Sequence, residues 1–79
     1  MKAIQTRYLG PTSRRSSRIK AWAEGVKPLT IPYPHEAAPG QHAHMTAAEA
    51  LCVRQDWPTD LVGGGLANHD YVFCFREQR

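Results

Sequence analysis

Prolines and glycines punctuate this chain so closely that regular structure has few places to form, and those places dictate the fold. Gly10-Pro11, Gly25, Pro28, Pro32, Pro34, Pro39-Gly40, Pro58 and Gly63-Gly64-Gly65 cut the 79 residues into short runs. Proline removes a backbone donor and clashes with the preceding helical turn, and glycine weakens helix and strand interiors alike, so each interruption reads as a boundary. The alanine-rich segment between Gly40 and Trp57-Pro58 has room for a helix of several turns. The rest must be strand or turn.

The helix is expected over residues 40–55. Ala43, Ala47, Ala48, Ala50 and Leu51 are good helix formers, and Met45, Ala48, Leu51, Cys52 and Gln55 share the spacing of one packed stripe. Thr46-Ala47-Ala48-Glu49 has the form of a capping box and offers a later start at Thr46, but so short a helix would bury little. Trp57-Pro58 ends the helix, because the residue before proline is pushed out of the helical region.

Ahead of the helix, residues 3–9 alternate loosely between apolar and polar, and Arg18-Ile19-Lys20-Ala21-Trp22-Ala23 alternates cleanly with period two. Both read as strands. Glu24-Gly25 offers a tight turn into a short strand, Leu29-Thr30-Ile31, whose flanking Pro28 and Pro32 place it at a sheet edge. Residues 33–40 read as a loop. Beyond the helix, Leu61–Leu66 is either a weak strand or an extended loop, and Ala67-Asn68-His69-Asp70 supplies turn residues. Tyr71-Val72-Phe73-Cys74-Phe75, aromatic and β-branched, is the strongest strand by composition.

The fold class is therefore α+β: a small antiparallel sheet of three to five strands, order β-β-β-α-(β)-β, with one α-helix packed on one face. Residues 1–79 form a single compact domain, since a chain of this length supports one small core. With 42% hydrophobic and 22% charged residues it lies outside the composition of disordered chains. Alternation turns Ile19, Ala21, Ala23, Leu29, Ile31, Phe73 and Phe75 toward the helix, and leaves Arg18, Lys20, Trp22, Thr30, Val72, Cys74 and Arg76 on an uncovered face. That face is either plain solvent surface or a docking site.

The formal charge of +3 hides an asymmetry. Residues 1–20 carry six bases (Lys2, Arg7, Arg14, Arg15, Arg18, Lys20) and no acid, whereas the remainder carries four bases and seven acids. A basic segment of this kind draws in polyanions or acidic protein surfaces. No apolar run approaches the roughly 20 residues of a membrane span, and Met1–Arg7 lacks the apolar core of a signal peptide, so a cytoplasmic protein with no membrane partner is expected. In that compartment Cys52 and Cys74 stay reduced.

Chemistry is sparse. His42 and His44 stand two apart, about 200° around a helix, unlike the three- or four-residue spacing of helical metal pairs, and read instead as surface histidines at the helix N-terminus. No metal or other cofactor is expected. Cys52 lies late in its helix and Cys74 mid-strand, away from what lowers a thiol pKa, and Glu49, Asp56 and His69 sit in no catalytic motif; a non-enzyme is expected. Gly63-Gly64-Gly65 lacks the lysine and hydroxyl residue of a phosphate loop. Arg14, Arg15, Arg18, Lys20 and Arg76 could contact phosphates while Trp22 stacks on a base, yet no RNP-type aromatic pair, zinc-finger spacing or helix-turn-helix is present, so direct nucleic-acid binding ranks below protein binding. Cys74 either packs as a small hydrophobe or projects from the open face, where a symmetric homodimer would bring two copies into an intermolecular disulfide on oxidation.

The succession Tyr8-Leu9-Gly10-Pro11-Thr12, Ser17-Arg18-Ile19-Lys20-Ala21, Thr30-Ile31-Pro32-Tyr33, Leu51-Cys52, Trp57, Leu61–Leu66 and Tyr71-Val72-Phe73 spans nearly the whole chain. It resembles a family of small proteins carried on bacterial phages, plasmids and integrated elements, and within it the anti-CRISPR proteins acting on type I systems, type I-C in particular. The resemblance implies a non-catalytic inhibitor in the bacterial host cytoplasm that binds Cas proteins of the surveillance (Cascade) complex and blocks target DNA binding. Many such inhibitors mimic DNA with acidic surfaces. This chain is basic over residues 1–20, which suits an acidic protein patch, while its acid-richer remainder could face a DNA-binding groove. The partner-binding surface expected from the residues themselves is Arg14, Arg15, Arg18, Lys20, Trp22 and Arg76. The alternative is a small basic nucleic-acid-binding accessory protein of a mobile element.

Overall fold

A computed structural model describes residues 3–34 and 41–76, in the order β1 (Ala3–Leu9), β2 (Arg18–Ala23), β3 (Leu29–Pro32), α1 (Gln41–Gln55), β4 (Leu61–Gly65) and β5 (Tyr71–Phe75). The strands form one antiparallel sheet ordered β3-β2-β1-β5-β4, with α1 packed across one face. This is the expected α+β fold. Residues 35–40, in the segment read as a loop, and residue 40 as the helix start lie outside the described residues.

The register explains the core. Ile4 of the central strand stands between Ala23 and Phe73, and Phe73 is paired in turn with Gly63, so one row crosses four strands beneath the helix. Ile4, Ile19, Ala21, Phe73 and the helix residues Ala43, Ala47, Ala48, Leu51 and Cys52 are completely buried. Small alanines on the helix meet large side chains on the sheet, a pairing that lets the two layers close without voids. Leu29, Ile31, Met45, Trp57 and Phe75 pack around this centre, half-buried.

The glycine stretch resolves as strand β4, and one of its glycines is required there. A Cβ on Gly63 would fall on the Phe73 ring and lie 2.8 Å from the Val72 carbonyl oxygen; at Gly64 it would meet nothing. Gly63 thus makes room for the largest core side chain.

Helix α1 begins by Gln41, which removes the alternative start at Thr46. That hydroxyl instead donates to the His42 carbonyl oxygen one turn back (3.0 Å). At the other end, Trp57 N–H donates to Cys52 O (2.8 Å) and Asp56 N–H to Val53 O (3.2 Å), with Asp56 at φ 58°. These paired bonds around a left-handed residue are a Schellman motif, with aspartate where glycine is usual and Pro58 just beyond. Arg54 ties this end to the β2–β3 turn through the Lys27 and Pro28 carbonyl oxygens. No helix among the described residues is long and apolar enough to cross a membrane.

One sequence expectation is corrected in the core. His44 is not a surface histidine: it is 5% exposed, its Nδ1 shares a 2.6 Å hydrogen bond with the fully buried Thr6 hydroxyl, and its ring lies 4.4 Å from that of Tyr71. The helix stripe therefore runs through Ala43, His44, Ala47, Ala48, Leu51 and Cys52. Burial lowers the His44 pKa, with Asp70 opposing, and burial raises that of the Cys52 thiol, with Glu49 adding to it.

Candidate functional site

The face of the sheet away from α1 carries no further element among the described residues, and β-alternation sets out its side chains in rows. Lys20 of β2 stands opposite Arg7 of β1, and Trp22 opposite Gln5, which is in turn opposite Val72. Nearer one end Arg18 stands between Leu9 and Pro32; at the other Cys74 lies between Ala3 and Val62.

The middle of this face is organised around Asp70. Asp70, 4% exposed, accepts from Arg7 through Nε and Nη2 (3.2 and 3.0 Å) and from Gln5 Nε2 (2.8 Å), and its own N–H donates to the Asn68 side chain (3.1 Å). The hydrogen bond from Arg7 holds the Asp70 carboxyl below the usual carboxylate range against the cost of its burial, and the same partner raises the Arg7 pKa. The Arg7 guanidinium and the Lys20 ammonium lie 5.6 and 5.4 Å from the Trp22 ring centroid, within cation–π range. The expected site residues Lys20 and Trp22 are thus together, with the Lys20 ammonium against the ring rather than in an ion pair.

The β1–β2 connection is different. The Thr12 hydroxyl accepts from the backbone N–H groups of Arg14 and Arg15 (3.3 and 3.1 Å), and Thr12 N–H donates to Arg15 O (2.8 Å), closing a tight turn. Its far end is anchored at Ser17, bonded by the Tyr8 hydroxyl (3.0 Å) and, through its carbonyl, by Tyr33 N–H (3.0 Å). Between these anchors Arg14 and Arg15 join Arg18 and the edge strand residues Thr30, Ile31 and Pro32 around a cleft of about 440 Å³. No acid among the described residues lines it. Among the described residues the ion pairs are Arg7–Asp70 and Arg76–Asp60, so these three arginines have no internal counter-charge.

Arg76 stands apart from the other expected residues. It follows β5 at the end where Ala3 pairs Cys74, while Arg18 is level with Leu9 at the far end of β1, roughly 25 Å away along the strands. Its guanidinium is bound to Asp60 at 2.9 Å. Cys74 is half-buried on the open face, between the two placements open from sequence. His42 is exposed, and no cluster of three or more His, Cys, Asp or Glu among the described residues could hold a metal ion.

Sequence reasoning missed the Arg7–Asp70 pair, whose members are 63 residues apart, and nothing local in the sequence signals it. In comparisons with protein families, characterised proteins and solved structures, none matches this chain.

Proposed function

We propose that this chain is a stoichiometric anti-CRISPR inhibitor that binds Cas proteins of the type I, specifically type I-C, surveillance complex in the bacterial cytoplasm and thereby obstructs target DNA binding. The kind of target comes from the sequence resemblance. The surface comes from one observation: Arg14, Arg15 and Arg18 surround a cleft, and no acid among the described residues neutralises them. Cations left unpaired on a held turn favour association with a complementary acidic surface and speed encounter with it. No catalytic role is assigned to any residue, and inhibition follows from occupancy.

The test is capture of purified surveillance complex, free of DNA, by the immobilised protein. Wild-type protein is expected to retain the complex, and Arg14→Glu/Arg15→Glu/Arg18→Glu to lose it while keeping the wild-type unfolding midpoint. Unchanged capture and inhibition by the triple variant would sink this surface. The nucleic-acid-binding alternative predicts instead that the protein binds bare DNA with an affinity falling steeply with salt. The Trp22 ring, flanked by Arg7 and Lys20, makes a poor stacking platform for that alternative.

A further inference from the structure

Charge alone does not describe the cleft beside β3. Arg18 Nε is shut off from solvent and has no hydrogen-bond partner, the sole buried side-chain nitrogen or oxygen so placed among the described residues. Buried donors are almost always paired, and an unpaired one on a charged group is costly to keep. Here it belongs to a side chain that lines an arginine-rich cleft. Nε together with a terminal nitrogen is the edge of a guanidinium that takes two oxygens of one oxyanion at once.

Three features narrow the source of that oxyanion. A nucleic-acid backbone needs a succession of free cations along its path. Beyond the cleft the next cations on this face, Lys20 and Arg7, lie against Trp22, and Arg7 is bound to Asp70, so the track stops. The floor, with Ile31 and Pro32, suits the short aliphatic stems of acidic side chains. The edge of β3 does not invite an added strand. Tyr33 N–H is turned toward β2, which leaves position 30 and its alternates 28 and 32 facing outward, and Pro28 and Pro32 have no N–H to give.

We infer that the cleft is a socket for an acidic protein segment, in which the Arg18 side chain turns to bring Nε out of its burial and grips one carboxylate side-on through Nε and a terminal nitrogen, while Arg14 and Arg15 hold a neighbouring carboxylate. This rests on the protein-binding reading above and specifies the chemistry of the partner. Contact is made side chain to side chain, with the Thr12-centred turn fixing the backbone from which the two outer arginines project.

The full chain labelled with ¹⁵N reports on arginine Nε–H groups directly. A synthetic hexapeptide of alternating Asp and Glu is titrated in, and a single-stranded oligonucleotide of equal net charge serves as the second probe. The peptide is expected to shift the Arg18 Nε–H resonance at lower concentration than the oligonucleotide, to leave that of Arg76 in place, and to bind Arg18→Lys about tenfold more weakly, because lysine keeps the charge and loses the fork. An Arg18 resonance that ignores the peptide, or responds first to the oligonucleotide, overturns the inference without needing any variant to fold. The two proposals fail separately. Loss of surveillance-complex capture by the triple glutamate variant with a silent Arg18 resonance removes the socket and keeps the inhibitor. A responsive resonance with undisturbed capture does the reverse.

Discussion

The two faces of this sheet are built from the same strands, one residue out of step, and they treat unsatisfied groups in opposite ways. Under the helix Phe73, Ile4, Ile19 and Leu51 are fully enclosed, and the polar pair there, Thr6 with His44, is bonded at 2.6 Å. On the open face Asp70 is paired with Arg7 and Lys20 lies against Trp22, yet among the described residues Arg14, Arg15 and Arg18 have neither a counter-charge nor a ring partner, and one donor has no acceptor. A small protein cannot leave groups unsatisfied in its core, where each costs stability, but it can do so at an edge where binding makes good the deficit. Within the open face, therefore, the satisfied cluster reads as structure and the unsatisfied one as function.

The contrast is largest on β5, where neighbouring residues serve different faces. Phe73→Ala is expected to cost about 3–5 kcal/mol, since its ring fills the row between Ile4 and Gly63, and Val72→Ala less than half as much. Chemical denaturation of both variants reads the difference. Comparable losses would mean that the open face carries packing of its own.

The glycines of β4 make the same comparison with smaller energies. Gly63→Ala pushes a methyl group into the Phe73 ring and a fixed backbone oxygen, and about 3 kcal/mol is expected. Gly64→Ala points into open space, and a change under about 0.5 kcal/mol is expected. Equal thermal midpoints for the two would break the assignment of faces along β4.

The buried polar pair gives a pH signature. Because burial lowers the His44 pKa from 6.5, the unfolded chain binds more protons than the folded one below that value. Stability is full above pH 6.5 and falls as the pH drops toward the folded-state pKa. The Asp70 contribution, lowered from 3.8 mainly by its hydrogen bond from Arg7, is lost only at more acid pH. Thr6→Val leaves His44 Nδ1 unpaired and is expected to cost about 1–2 kcal/mol, while Thr6→Val/His44→Leu recovers much of that and flattens the profile below pH 6.5. A double variant that keeps the wild-type slope would show that another group titrates there.

Much of the fold was legible because local pattern and tertiary role coincide. The alternation of Arg18–Ala23 and the aromatic run of Tyr71–Phe75 place both strands with their boundaries, and Pro28 and Pro32 place β3 at an edge. Where two roles share one residue type, the pattern runs out. Gly63 and Gly64 look identical in sequence, and only the register opposite Phe73 tells a packing glycine from a free one. His44 looks like its neighbour His42, and only the approach of Thr6, 38 residues away, shows that it is a core residue. The candidate site divides likewise. Six residues share a basic, aromatic character, but Trp22 is engaged with Lys20 and Arg7, Arg76 with Asp60, and the unengaged three are known only once those partners are in place.

The two cysteines test the same contrast with the least disturbance of stability. Cys52 is fully buried beneath the helix, whereas Cys74 is half-buried on the open face between Ala3 and Val62. Two copies meeting face to face about a two-fold axis bring their Cys74 thiols together, and dissolved oxygen then takes two electrons and two protons from the pair to leave a disulfide. After air exposure, a non-reducing gel of wild-type protein is expected to show a dimer band that dithiothreitol removes. Cys74→Ser should abolish the band with the unfolding midpoint unchanged, because serine at a half-exposed strand position buries little and strains nothing. Cys52→Ser should keep the band among the molecules that fold, since a thiol enclosed by α1 cannot reach a second chain. A band that survives Cys74→Ser, or disappears with Cys52→Ser, would mean that the helix opens readily enough to expose the core, and the distinction between a closed face and an open one would then hold only on the timescale of that opening.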